Sequence, residues 1–262
     1  MIDLHSHILP GLDDGPRDLA GALEMARTAV VAGTRAIATT SHVNFHFGLS
    51  VSDIATAREA LAAELAAAGI ALELLPGGEI APERLPDLED DELRGVTLGE
   101  HGPILLECPF GPVGASMELM VAELMRRGFG VLLAHPERSS TFQHEPARLE
   151  RLVEMGATAQ VTAGALAGGF GDTAKRAALR MLEAGHVHVI ASDAHDAGHR
   201  PPDPRLAERT LAERYGDVEE QIVWMTEAAP AALVAGEPLP PRPPLPRATG
   251  MCARIRRALP RR

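Results

Sequence analysis

A chain of 262 residues with 45% hydrophobic content can bury one large core, and α/β barrels of this length commonly fold as single domains. Its formal net charge of −11 argues against a general nucleic-acid binder, and two cysteines, Cys108 and Cys252, suggest neither a disulfide framework nor a thiolate metal site. No apolar run approaches the roughly 18 residues of a membrane span, and residues 1–5 lack the features of a secretory signal, so a soluble, cytoplasmic protein is expected.

In chain order, short apolar runs at 1–6, 35–41, 70–76, 103–108, 130–135, 157–162 and 187–192 read as buried parallel strands. Amphipathic stretches at 18–32, 52–68, 116–127, 146–155 and 173–184 lie between them. Gly33, Gly69, Gly128, Gly156 and Gly185 each stand just past one of these stretches, where a left-handed helix cap favours glycine. The alternation predicts a slightly irregular seven-stranded α/β barrel, closed outside by helices near 204–215 and 218–235. Aromatic residues make up only 3%, so Ala, Leu, Val and Ile must pack the core. From 236 to 262 seven prolines and seven arginines replace this pattern. That composition reads as a flexible tail outside a 1–235 barrel, dispensable for chemistry.

Histidine and carboxylate residues recur where the apolar runs end. His5 and His7 close the first run, and in extended chain both point to one side. Asp13-Asp14-Gly15 follows in a Gly/Pro-flanked loop; a turn role suits Asp13, while Asp14 can reach the barrel mouth. His42, Glu79, Glu107, His135, Asp193 and His195 stand at the later exits. Glu79 can bridge two cations, and Glu107, in an apolar setting, needs a metal or a cationic partner. Polar groups at the exits of barrel strands converge on one face, where metal and catalytic sites sit. The nine donors could hold two or three divalent ions, and imidazole with carboxylate favours Mn, Fe or Zn. Such a cluster would acidify a bridging water and stabilise charge on a phosphoryl oxygen.

The segment from His5 to Gly15, with Pro76-Gly77-Gly78-Glu79-Ile80, Glu107-Cys108-Pro109-Phe110, Ala134-His135-Pro136-Glu137-Arg138, Gln160-Val161-Thr162-Ala163-Gly164 and Ser192-Asp193-Ala194-His195, resembles the PHP (polymerase and histidinol phosphatase) superfamily. More narrowly, over about residues 1–235, it is similar to manganese-dependent protein-tyrosine phosphatases of bacterial capsule and exopolysaccharide loci. The resemblance implies a distorted barrel with a trinuclear site at the C-terminal ends of the strands. His5, His7, Glu79 and Asp193 would hold one ion. Glu79, Glu107 and His135 would hold a second, and Asp14, His42 and His195 a third. Arg138 and Arg200 match phosphate-binding positions, where a planar guanidinium grips two oxygens. The segment Thr40-Ser41-His42-Val43-Asn44-Phe45-His46-Phe47 departs from the family's usual pattern.

Hydrolysis of phosphotyrosine on a protein is therefore the expected activity, with a polysaccharide-biosynthesis tyrosine kinase as the partner the resemblance suggests. Either metal-bound water or His195 could assist the leaving oxygen. A small-molecule phosphatase of the histidinol-phosphate type and a non-catalytic PHP scaffold are the alternatives. Cysteine-based phosphatase chemistry is set aside, because Gly114 and Ala258 stand six residues after Cys108 and Cys252, where that loop needs arginine.

Overall fold

The computed structural model describes residues 1–111 and 116–248. Strand β1 (Ile2–Ser6) leads through α1 (Leu19–Ala32) to β2 (Ala36–Thr39) and β3 (His42–Val43). Next come α2 (Val51–Ala67), β4 (Glu73–Leu75), β5 (Glu79–Ile80), α3 (Asp90–Gly95), β6 (Ile104–Glu107), α4 (Ser116–Arg126) and β7 (Val131–Ala134). Helices α5 (Ser140–His144) and α6 (Pro146–Glu154) precede β8 (Thr158–Thr162), and α7 (Ala163–Ala167) and α8 (Gly171–Glu183) precede β9 (Val189–Ala191). The chain then forms α9 (Glu208–Tyr215), α10 (Glu219–Val223) and α11 (Ala229–Ala235), with a π turn at Trp224–Ala228 joining the last two. No described helix is long and apolar enough to cross a membrane.

Every strand pairing within the sheets is parallel. Strands β1, β2 and β4 form one sheet; β3 and β5 to β9 form the other. Since β3 continues β2 after Thr40 and Ser41, and β5 continues β4 after Pro76, Gly77 and Gly78, the two sheets share seven strand lines. The ring closes where Ser6 bridges Ala194 and the Asp193 amide donates to the His5 carbonyl at 2.8 Å. The seven-stranded barrel expected from the alternation is therefore present, with two of its strands broken just below the mouth.

Side chains of alternate residues fill the barrel. Ile2, Leu4, Ala36, Ala38, Leu105, Leu132, Ala134, Val189 and Ala191 form the inner cluster, against which Leu233 and Val234 of α11 pack. The opposite faces of the strands meet the helices, as Ile37 and Leu133 do in one cluster with Met25, Ala26 and Ala29 of α1. That two-sided burial is why the strands read as continuous apolar runs. Local signals set the helix ends: Asp18 caps α1 by accepting from the Gly21 amide, and Ser50 and Asp53 form a reciprocal capping box on α2. All five glycines expected to end helices have positive φ. The third strand starts at Glu73 rather than residue 70, because Ile70 and Leu72 make a tight turn through the Leu72 amide and Ile70 carbonyl.

The expectation of a free tail is corrected for 237–248. Prolines do keep these residues out of regular structure, but a proline-rich chain leaves its carbonyls unpaired and available. Trp224 Nε1 donates to the Pro240 carbonyl at 3.2 Å, and Gln221 Nε2 to that of Pro244 at 2.7 Å. Arg242 donates to the Gly185 carbonyl at 2.6 Å and lies over the Trp224 ring, while Leu239 and Leu245 pack against the core. The remainder of the expected tail, 249–262, lies outside the described residues. Ending the chain at Gly236 removes this strap and should lower stability by about 2–4 kcal/mol, from lost apolar burial and two part-buried hydrogen bonds. Urea unfolding checks it; an unchanged midpoint would return 237–248 to the status of a solvated extension.

Candidate metal centre

Strand exits deliver the polar groups to one mouth, and two backbone devices aim them. Strict alternation after the inward Leu4 would turn His5 away from the barrel. A register irregularity between Asp3 and Ser6 in the pairing of β1 with β2 re-aims it, as bulges near active sites do. His135 and Asp193, just beyond β7 and β9, take left-handed backbone at φ 36° and 52°. For residues other than glycine this costs about 1–3 kcal/mol each, and such strain gathers at functional sites. The loop after His7 needs Gly15, since a Cβ there would stand 2.0 Å from the His7 carbonyl oxygen.

All nine sequence-predicted donors meet. They form four overlapping groups with ligand-capable atoms within 4.8 Å: His7, Asp14, His42 and His195; His5, His7 and Asp193; His5, Glu79 and His135; His42, Glu79 and Glu107. Glu79, 1% exposed, is the hub. Its Oε1 lies 2.9 Å from His135 Nε2, and its Oε2 lies 3.1 Å from His42 Nδ1, 3.3 Å from His5 Nε2 and 3.5 Å from His7 Nε2. Asp193 Oδ1 faces His5 and His7 at 3.4 and 3.5 Å, and Asp14 Oδ1 faces His195 Nε2 at 3.1 Å.

Three acceptors set the imidazole protons. His5 Nδ1 donates to Gln160 Oε1 at 3.1 Å, His7 Nδ1 to Asp13 Oδ2 at 2.8 Å, and His195 Nδ1 to the Asp193 carbonyl at 3.0 Å. A ring whose Nδ1 carries the hydrogen presents Nε2 as a lone pair. His5 and His7 thus point Nε2 at each other across 3.3 Å, an arrangement that needs a proton or a cation between them. Glu79 Oε2, His42 Nδ1 and His135 Nδ1 are buried without hydrogen-bond partners. Converging lone pairs, a carboxylate hub and orphaned buried atoms fit divalent ions.

The electrostatics point the same way. Burial pushes the Glu107 carboxyl up to about 8, with Glu79 and Glu83 adding to the rise. Burial also opposes charge on Glu79 and Asp193, yet the neighbouring His5 holds both well below the usual carboxylate range. His7 is raised despite its burial, by the hydrogen bond to Asp13 and by the Asp193 and Glu79 carboxylates beside it. Burial lowers His42, His135 and His195. Protons shared among buried histidines and carboxylates are what bound cations displace.

Asp193 also joins the donors to the two expected arginines. Its Oδ2 accepts from Arg138 at 2.6 Å and from Arg200 at 2.5 Å. Arg138 follows β7 in a 3-10 turn, Pro136–Arg138, tied to β8 by the buried Glu137, which accepts from the Thr162 amide at 2.9 Å. The sequence reading missed Gln160, Glu137 and Asp3; Asp3 accepts from the Ser192 amide at 3.0 Å. It gave Asp13 only a turn role. That turn exists, through the Gly15 amide at 3.1 Å, but the other carboxylate oxygen holds His7 and the His42 amide. Adjacent acids in Asp-Asp-Gly were the available signal.

A family model described as capsular polysaccharide synthesis, CpsB/CapC, matches residues 1–232. The tyrosine-protein phosphatase YwqE of Bacillus subtilis is 37% identical over 251 residues, covering 94% of this chain and 96% of that protein. The putative tyrosine-protein phosphatase CapC of Staphylococcus aureus is 28% identical over 204 residues, covering 77% and 79%. A crystal structure from work on YwqE of Bacillus subtilis and CpsB of Streptococcus pneumoniae, described as metal-dependent tyrosine phosphatases, superposes with a TM-score of 0.81. It is 36% identical and covers 94% of this chain and 99% of its own.

Removing a group that orients a ligating histidine typically weakens metal affinity about 10–100-fold. Asp13→Ala and Gln160→Ala should each weaken Mn²⁺ binding by that factor, measured by chelator competition, with the fold preserved by circular dichroism. Wild-type affinity in both variants would contradict the proton assignment.

Proposed function

The chain belongs to the CpsB/CapC capsular polysaccharide synthesis family, and we propose that it is a metal-dependent phosphatase that removes phosphate from phosphotyrosine on proteins. The observation that carries this reading is Asp193, which faces two histidines of the donor cluster with one oxygen and receives two arginines on the other. Ion sites and phosphate clamp thereby share one side chain.

We assign His5, His7, Glu79 and Asp193 to one ion, Glu79, Glu107 and His135 to a second, and Asp14, His42 and His195 to a third. The close groups of His5, His7 and Asp193 and of Asp14, His42 and His195 support the first and third sets, while Glu107 and His135 each lie close to Glu79 in separate groups. Divalent ions held there, manganese first with iron or zinc also suited to the donors, supply Lewis-acid charge to phosphoryl oxygens and lower the pKa of water. Arg138 and Arg200 grip the phosphoryl group and stabilise the charge that grows on it. His195 is tied by Nδ1 to the Asp193 carbonyl and faces Asp14 with Nε2, so we read it as a ligand rather than the acid. A tyrosyl leaving group, with a pKa near 10, needs less proton help than an alkoxide.

The half-exposed Asp14 and the partly exposed arginines lie at an open mouth, which suits a phosphotyrosine presented on a protein surface. The partner we propose is a tyrosine kinase of polysaccharide biosynthesis, in the cytoplasm, where ATP supplies the phosphate. A histidinol-phosphate-type activity would use the same donors. The non-catalytic scaffold loses ground because no expected donor is missing from the cluster.

Metal-stripped protein should release no phosphate from a phosphotyrosine peptide and recover on adding Mn²⁺. It should turn over the peptide faster than histidinol phosphate. Arg138→Ala should lower kcat/KM about 10²–10³-fold, as loss of one transition-state donor does. A metal-loaded wild type inert on the peptide but active on histidinol phosphate would replace this reading with the small-molecule one.

A further inference from the structure

The chain holds eight aromatic residues, six Phe, one Tyr and one Trp. Phe129, Phe142, Tyr215 and Trp224 are buried in the core. Of the other four, Phe47, Phe110 and Phe170 contact the metal centre or its arginines. Phe47 lies flat on His42, with ring centroids 5.6 Å apart and planes 9° from parallel. Phe170 supports both arginines, with guanidinium carbons 4.3 Å (Arg138) and 5.5 Å (Arg200) from its centroid. Phe45 is 61% exposed and pairs with Arg84.

Phe110 is more exposed than Phe47 and Phe170 and, unlike Phe45, touches the centre itself. It stands three residues after Glu107, and its backbone is fixed where the Ser140 amide donates to its carbonyl at 3.1 Å. Its ring stacks on His135 at 5.6 Å and has the Arg138 guanidinium carbon 4.5 Å from its centroid. Even so, it remains 50% exposed. A large apolar ring left half in water beside a phosphate clamp is positioned to meet something apolar that arrives with the phosphate.

We propose that Phe110 receives the aromatic ring of the substrate and thereby selects aryl over alkyl phosphate esters. This rests on the phosphatase reading and names the side chain that decides its substrate class. When a phosphoryl group lies against Arg138, the leaving group begins one bond beyond it, next to the Phe110 ring. A tyrosyl ring there gains an offset or edge-on aromatic contact; a seryl or threonyl carbon offers no face to stack. Phe170, already occupied by two guanidiniums, is a positioning residue for the clamp.

The test compares wild type, Phe110→Ala and Phe110→Tyr. Calorimetry would measure binding of a peptide carrying phosphonomethyl-phenylalanine, which cannot be hydrolysed, and of inorganic phosphate, each to Mn²⁺-loaded protein. Rates would be measured on phosphotyrosine and phosphoserine peptides. Loss of one aromatic contact predicts that Phe110→Ala binds the aryl phosphonate about tenfold more weakly. Phosphate binding should stay within about twofold, and KM for phosphotyrosine, rather than kcat, should carry the change. Phe110→Tyr should restore wild-type binding.

Equal losses for phosphate and aryl phosphonate would overturn the inference, leaving Phe110 as a support for Arg138. So would unchanged aryl binding in Phe110→Ala. Phe110-dependent aryl binding by a wild type that releases no phosphate from phosphotyrosine would overturn the phosphatase reading and leave the Phe110 assignment standing.

Discussion

A carboxylate removed from water must be neutralised, and Glu79 makes that requirement the organising constraint of this protein. Its two oxygens face His5, His7, His42 and His135, which come from three other strand lines. An isolated charge so buried would protonate or unfold its surroundings. Here the imidazoles lie close enough to hold it charged, and enough lone pairs converge for cations to replace their protons. The nine donors come from six of the seven strand lines, and the closed barrel brings those strand ends to one point.

Several costs in the structure are explained by that convergence. Two strands break just before the mouth, after Thr39 and Leu75, so that His42 and Glu79 begin new short strands with their own pairing partners. β1 loses its regular register, and His135 and Asp193 take left-handed backbone. Each departure sits at a donor rather than at random along the barrel. Asp193 carries the arrangement outward, because the oxygen turned from the histidines holds both arginines proposed to grip the phosphoryl group.

Much of this was legible in the sequence because parallel strands write themselves as apolar runs, and six of the seven runs ended at or near a residue able to bind metal. His5, Glu79 and Asp193 could be picked out by position alone. The strand breaks at Thr40-Ser41 and Pro76-Gly77-Gly78 could not, since a break inside a barrel strand reads like a strand end. Helix α3 was missed because its acidic start, Asp90 to Glu92, hides a short apolar anchor at Leu93. Gln160 and Asp13 were hidden for a different reason: their role is to hold a histidine, which only the folded chain brings near. The segment 237–248 misled because a proline-rich composition describes backbone conformation, not whether that backbone finds donors such as Gln221 and Trp224.

The account stands or falls on ions at Glu79. Anomalous diffraction from crystals of the protein loaded with Mn²⁺ tests it most directly. The account predicts peaks among the nine donors, two of them sharing the Glu79 carboxylate and a further one beside Asp14, His42 and His195. Peaks confined to surface carboxylates, with the Glu79 cluster held together by protons alone, would contradict it.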